Sequence, residues 1–378
     1  MLNTGAFPFL DFYGGGEKYV YYLSKYLAKE GIDVEILISS PKSKTAKLDA
    51  IKYTFIPPLV TIRYPLIATL LLNSYLFNTN AAIHLKRKKF DILHSYGSTS
   101  YQYLHFADRR PVIVQAWDNR PLKAKGLKRI VQFPIAERTK YCMTHAEAIA
   151  IEGEFQIDEI TKLFGVDEEK IFVLPVGVDL NFIKKKLNGK RISRNELGLS
   201  DNDFVLISVN RFFAVKGINY LVDAFKIVKQ NLNIAKLILI GAGPEEGRIT
   251  KQIRHHKLTD SVLHLKNVSE DSLYEYYNLA DIYVSPTLQK DFIMGILEAM
   301  ACGLPVVSTG QEFIVQSGRN GYVVPPRSIH AMADAILKIY DDGAHKTMGT
   351  TSQKIVEEYD WEIIAKQAIK QYEHMSAY

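Results

Sequence analysis

Short apolar runs alternate with amphipathic stretches along the whole chain. In the first half the runs are Val34–Ser39, Asp91–His94, Pro111–Val114, Ala148–Ile151 and Ile171–Leu174. In the second half they are Phe204–Val209, Lys236–Ile240, Val262–Leu265, Asp281–Val284, Pro305–Val307 and Gly321–Val324. Short continuous apolar runs, bounded by Gly or Pro and separated by helical segments, predict strands of parallel sheets buried on both faces. The stretches between them carry the other period. Over residues 17–30, Val20, Leu23, Tyr26 and Leu27 form one stripe and Gly31 supplies the stop, which predicts a helix. Residues 361–372 form another amphipathic helix. Pro175-Val-Gly-Val-Asp-Leu180 marks a joint, followed by a basic, apolar-poor stretch from Lys184 to Arg194. No short-period repeat is present, which argues against a solenoid. The pattern predicts an α/β protein of two Rossmann-like domains, residues 1–182 and 183–359, facing a central cleft with ligands at the facing strand ends.

Composition narrows this picture. At 378 residues the chain is long for one core. A hydrophobic content of 47% with 23% charged residues excludes a disordered chain. The net charge of +6 is mild over this length; it admits phosphates or anionic lipids and gives no reason to expect nucleic acid. Cys142 and Cys302 sit in apolar settings, which predicts two inert thiols in a reducing compartment, not a disulfide. Met1-Leu-Asn-Thr-Gly5 lacks the features of a secretory signal. The greasiest run, residues 65–77, is interrupted by Asn73 and Ser74 and falls short of the roughly 20 apolar residues a membrane span needs. It reads as a buried helix or as one that dips into a membrane surface. Basic residues crowd the region from Lys86 to Arg129, where only Asp91, Asp108 and Asp118 oppose them. Solvated faces explain much of such a cluster, yet beside a greasy segment it also suits a lipid-phosphate acceptor. The expected location is cytoplasmic, with peripheral contact at the inner face of the membrane as a further expectation.

The chemistry concentrates at two places. Asp281-Ile-Tyr-Val-Ser-Pro-Thr287 ends a strand in a polar loop. The loop enters the helix containing Glu298, and Gly303-Leu-Pro305 breaks that helix into the next strand. Such a loop lies at the carboxyl end of a strand and the amino end of a helix, where free N–H groups and the helix dipole favour phosphates. Glu298, expected in the first helical turn, is suited to the vicinal hydroxyls of a ribose. Val209-Asn-Arg211 ends another strand, and Lys216 follows five residues on. Two cations there suit a diphosphate leaving group; the bland alternative is a pair of solvated side chains. Gly14-Gly-Gly-Glu17 precedes the first helix and either lets a phosphate approach the backbone or forms a tight turn. No cluster with metal-ligand spacing is evident.

These motifs together resemble the retaining glycosyltransferases of the GT-B fold, of the glycosyltransferase family 4 type. The shared features are the Gly-Gly-x-Glu loop at Gly14–Glu17, the Arg211 and Lys216 pair, the turn Gly241-Ala-Gly243-Pro-Glu245, and the segment through Glu298. The resemblance implies sugar transfer from a UDP- or GDP-linked donor to a glycan or lipid-linked acceptor, without metal or cofactor. It implies donor contacts at Gly15, Gly16, Arg211, Lys216, Gly243, Val268, Phe292, Ile293, Met294, Gly295 and Glu298. It also implies that the last helix, 360–378, packs back on the first domain. The resemblance covers most of the second domain and fails at two positions. The family pairs a second glutamate, here Glu298, with a first one eight positions earlier, and this chain has Lys290 there, with Asp291 adjacent. Lys290 cannot accept hydrogen bonds, so Asp291 is the expected substitute. A strand that commonly ends in His-Asp ends here in Trp117-Asp118. Trp117 can pack on a sugar and donate one hydrogen bond, which leaves Asp118 as the ionisable candidate. His94 is a further family-like position, with a buried structural histidine as its alternative. The expected catalytic set is therefore Asp118, Asp291, Arg211 and Lys216, with His94, Trp117 and Lys290 near sugar or acceptor. The competing readings are a catalytically weak nucleotide-sugar-binding protein and an inverting or epimerase enzyme on the same scaffold.

Overall fold

The structure is a computed structural model that describes residues 2–3, 15–60, 67–106, 111–117, 127–189, 192–290 and 294–376. The chain divides into two compact units, residues 1–176 with 361–378, and residues 177–360. The joint lies before the expected 182–183 because helix Leu180–Leu187 packs on helix Glu270–Leu279 and so travels with the second unit. Asp360 also stays there, bridging to Val178.

The first unit holds strands β1 (Leu2–Asn3), β2 (Glu35–Ser39), β3 (Lys44–Leu48), β4 (Ile51–Ile56), β5 (Leu93–Tyr96), β6 (Val112–Gln115), β7 (Ala148–Ile151) and β8 (Ile171–Val173). They form one sheet in the order β3-β4-β2-β1-β5-β6-β7-β8, parallel except for β3. Its core gathers Leu37, Phe77, Val114, Ile149, Ile151 and Phe164. The hairpin β3–β4 is not visible in the apolar pattern. Lys44-Thr-Ala-Lys-Leu48 is a mostly exposed edge strand, and its two-residue turn is Asp49-Ala50, both with positive φ (49° and 63°). That geometry usually recruits Asn-Gly or Asp-Gly.

The second unit holds β9 (Phe204–Val209), β10 (Ala235–Ile240), β11 (Val262–Leu265), β12 (Ile282–Ser285), β13 (Val306–Ser308) and β14 (Gly321–Val323). The order is β11-β10-β9-β12-β13-β14, all parallel. Leu206, Phe225, Leu237, Ile282 and Ile336 lie in its core. The strand order reverses between β9 and β12, so the carboxyl ends of these two strands form the switch point at which open α/β sheets bind ligands.

Helix Gly15–Lys29 buries Tyr19, Val20, Tyr22, Leu23, Tyr26 and Leu27 against the first sheet, and Gly31 ends it with φ 89°. Helix Trp361–Ser376 packs on that helix. Trp361 is fully buried between Tyr19 (5.4 Å between ring centroids) and Tyr22 (6.2 Å, stacked). Aromatic pairs of this kind add about 0.5–1.5 kcal/mol beyond area burial. Segment 65–77 contributes to helix Ile67–Lys86, where Phe77 is buried and Leu72 exposed. Both cysteines are free.

Candidate functional site

All strands of the second unit run parallel, so the loops after β9, β10, β11 and β12 leave one edge of the sheet. Arg211, Lys216, Gly243, Val268 and Lys290 all stand on these loops. Backbone hydrogen bonds tie three of the loops together. Phe212 N–H donates to Ala242 O (2.9 Å), and Glu245 N–H donates to Phe212 O (2.9 Å). Leu288 N–H donates to Val215 O (2.8 Å). Arg211 and Lys216 are therefore carried by backbone that is fixed on both sides.

Glycine is required where these loops meet. A Cβ on Gly241 (φ 136°) would lie 1.9 Å from Asn210 O, and one on Gly243 (φ 159°) 2.5 Å from Phe212 O. His264 of β11 reinforces the contact. Its Nε2 pairs with Gly241 O at 2.9 Å, and its ring stacks on Phe212 at 5.0 Å. The sequence reading missed His264, which looks from its pattern like one more residue of an apolar strand.

The side chains differ in their settings. Arg211 is exposed, with its guanidinium 5.3 Å from the Phe213 ring centroid. Lys216 closes the single turn Ala214–Lys216, and Gly217 in left-handed conformation starts helix Ile218–Asn231. Glu298 falls beyond the first turn of helix Met294–Ala301, a correction to its expected place, and is only 8% exposed. The Tyr277 hydroxyl donates to its Oε2 at 3.2 Å. Gly295 is buried, and a Cβ there would lie 2.6 Å from the Tyr283 hydroxyl. Met294 and Val268 are half-buried. Burial, with the Glu298 charge as second cause, pushes the Cys302 thiol up and keeps it protonated. Lys290 is exposed and pairs with Glu312 at 3.6 Å. Asp291, Phe292 and Ile293 lie outside the described residues, as does Asp118.

In the first unit, Gly15 and Gly16 open helix Gly15–Lys29, and Trp117 lies directly against Gly16. A Cβ on Gly16 would meet the indole ring at 3.1 Å. Trp117 also packs on Tyr96 (4.5 Å) and Tyr19 (5.0 Å), and its indole N–H is buried without a partner among the described residues. His94 faces a different setting. It is buried, stacked on Tyr96, with Nδ1 2.7 Å from the Tyr372 hydroxyl of the last helix. This geometry favours an anchor for helix Trp361–Ser376 over a substrate contact.

Burial pushes the His94 pKa down to about 3 from its ordinary 6.5. Between those values the unfolded chain binds the proton and the folded one does not, so stability falls as pH drops from 6.5 toward 3. His94→Gln should flatten the melting temperature over that range. An unchanged acid slope would remove His94 as its cause.

These two α/β units, with a cationic, glycine-lined edge at one switch point, have the architecture of a nucleotide-dependent transferase. Residues 13–182 match the family described as Glycosyltransferase Family 4, and residues 189–355 match Glycosyl transferases group 1. The chain belongs to the GT-B glycosyltransferases of the family 4 type. It is 30% identical over 200 residues to N-acetyl-alpha-D-glucosaminyl L-malate synthase of Bacillus anthracis, covering 51% of each chain. It is 25% identical over 270 residues to UDP-Gal:alpha-D-GlcNAc-diphosphoundecaprenol alpha-1,3-galactosyltransferase of Escherichia coli, covering 68% of each. In structure it is similar to Anabaena HepE, solved in complex with UDP-glucose. The TM-score is 0.74 at 19% identity, over 99% of this chain and 98% of that one; this is a likeness of fold. The chain spans about half the length of several curated relatives it matches, 51% to 57% in four of them.

Proposed function

We propose that this protein transfers a sugar from a UDP- or GDP-linked donor to an acceptor hydroxyl with retention of anomeric configuration, and without a metal. The observation that carries this reading is the edge of the second sheet, where fixed backbone presents Arg211 and Lys216 beside the loop of Gly243 and the loop of Leu288, which leads toward the helix of Glu298. Arg211 and Lys216 stabilise the diphosphate as negative charge develops on it. Glu298 holds the ribose hydroxyls. The acceptor oxygen attacks the anomeric carbon from the face the diphosphate leaves. As the new C–O bond forms and the bond to the diphosphate breaks, the hydroxyl proton passes to the departing phosphate oxygen. The family resemblance assigns backbone N–H groups of Gly15 and Gly16, and of residues 292–295, to the leaving group. Asp291 takes the place of the missing first glutamate at the sugar hydroxyls, and Asp118 and Trp117 border the sugar or acceptor.

A lipid-linked or glycan acceptor fits this reading, because the Escherichia coli relative is named for a diphosphoundecaprenol substrate. No helix among the described residues is long and apolar enough to cross a membrane. Contact with a lipid-linked acceptor is peripheral in this reading, through surface residues such as Phe106 and Phe133, each about half exposed.

The test is turnover of UDP- and GDP-sugars with a chelator present, with the product's anomeric configuration read by NMR. Retained configuration at an undiminished rate is expected. Inversion would overturn the stereochemistry, loss of rate with chelator would overturn metal independence, and binding without turnover would favour a binding protein.

A further inference from the structure

We propose that Tyr277 is a positioning residue that aims the Glu298 carboxylate at the donor ribose. The inference rests on the ribose role given to Glu298 above. A carboxylate that is 8% exposed needs donors inside the protein, since burying a charge without hydrogen bonds is costly. Tyr277, on helix Glu270–Leu279, is fully buried, and its hydroxyl lies 3.2 Å from Glu298 Oε2 and 3.4 Å from Gly295 O. One hydroxyl thus reaches both the carboxylate and the opening turn of the helix that carries it. Burial first, and the Glu298 charge second, push the Tyr277 pKa well up, so the hydroxyl keeps its proton and stays a donor.

The surroundings fix the tyrosine in turn. Its ring packs between Tyr274 (6.2 Å) and Tyr283 (6.0 Å), and the Tyr283 hydroxyl donates to Val209 O at the end of β9 (3.3 Å). A hydrogen bond held by so constrained a ring selects one rotamer of Glu298. Each carboxylate oxygen accepts more than one hydrogen bond, so engagement of Oε2 by Tyr277 is compatible with a diol bound to the same group. The pair is a fixed acceptor, set before the nucleotide arrives. Pre-ordering of this kind raises affinity by removing the cost of ordering at binding.

The experiment compares nucleoside diphosphates by calorimetry, using UDP or GDP, whichever binds, and its 2′,3′-dideoxy analogue. Three proteins are compared: wild type, Tyr277→Phe and Glu298→Gln, each checked for folding by thermal unfolding. Wild type should prefer the ribose form. Tyr277→Phe should lose roughly tenfold in affinity for the ribose form and little for the dideoxy form, as expected when a charge-assisted hydrogen bond no longer orients the carboxylate. If Glu298→Gln binds both forms as wild type does, the ribose role fails and the inference falls with it. If Glu298→Gln loses the preference while Tyr277→Phe keeps it, Glu298 binds ribose without help from Tyr277. An equal loss for both forms in Tyr277→Phe would assign the tyrosine a purely structural role and overturn the proposal.

Discussion

Arg211→Ala and Lys216→Ala should each lower turnover of the nucleotide sugar by roughly tenfold or more, with the protein still folded, because each removes a cation that meets charge developing on the diphosphate. Stability of the Arg211 variant should change little. Arg211 is exposed, and its contact with the Phe213 ring is worth about 0.5–1 kcal/mol at such a site. The backbone that carries both residues is held by the hydrogen bonds of Phe212, Glu245 and Leu288, none of which involves either side chain. Truncating Arg211 should therefore remove charge without moving the loop. Affinity for the intact nucleotide sugar should fall less than turnover, since the charge on the bridging oxygen grows only as the sugar bond breaks, whereas the free nucleoside diphosphate already carries that charge. Steady-state rates and calorimetry on folded variants check this. Wild-type turnover in either one would exclude it from the mechanism.

Apart from β1 and the β3–β4 hairpin, the strands of both units are legible as apolar runs, and the runs Ala148–Ile151, Phe204–Val209 and Val262–Leu265 coincide with β7, β9 and β11. At four other strands the runs stop too soon at the carboxyl end, and for one reason. β5 extends into Ser95 and Tyr96, β6 into Gln115, β12 into Ser285 and β13 into Ser308, all buried. Ser95 is satisfied internally, by Ser100 Oγ at 2.9 Å and Ile113 O at 3.2 Å. Polar residues thus continue the strands at the edge where the ligand loops begin, and a rule built on hydrophobicity cannot follow them. The site shows the same limit. Arg211, Lys216, Gly243 and Glu298 are marked by motifs, whereas Tyr277, Tyr283 and His264 act across distances that the sequence does not encode. Tyr277 reads as part of the helix stripe, and its hydroxyl acquires a role only beside Glu298.

Gly217→Ala is expected to have the largest combined effect, a loss of about 2–4 kcal/mol of stability, in the range of severe backbone substitutions, together with a marked loss of turnover. Gly217 has φ 65°, and a non-glycine residue in left-handed conformation costs about 1–2 kcal/mol. A Cβ there would also lie 2.1 Å from Pro286 O and 3.1 Å from Pro286 C. Both atoms are backbone, so no side-chain rotation relieves the clash. The two loops must part, which strains the Leu288 to Val215 hydrogen bond and shifts Lys216, the preceding residue, relative to the 287–290 loop. A displacement near 1 Å at a reacting centre can cost about a hundredfold in rate. Gly247 is the internal control. It lies within helix Glu246–His255, and nothing comes within 4 Å of an added Cβ. Gly247→Ala should therefore be neutral or stabilising by up to about 1 kcal/mol. Denaturant unfolding and turnover measured on both variants test the argument. If Gly217→Ala matched wild type in both measurements, the 214–217 turn would not be what holds Lys216 in place.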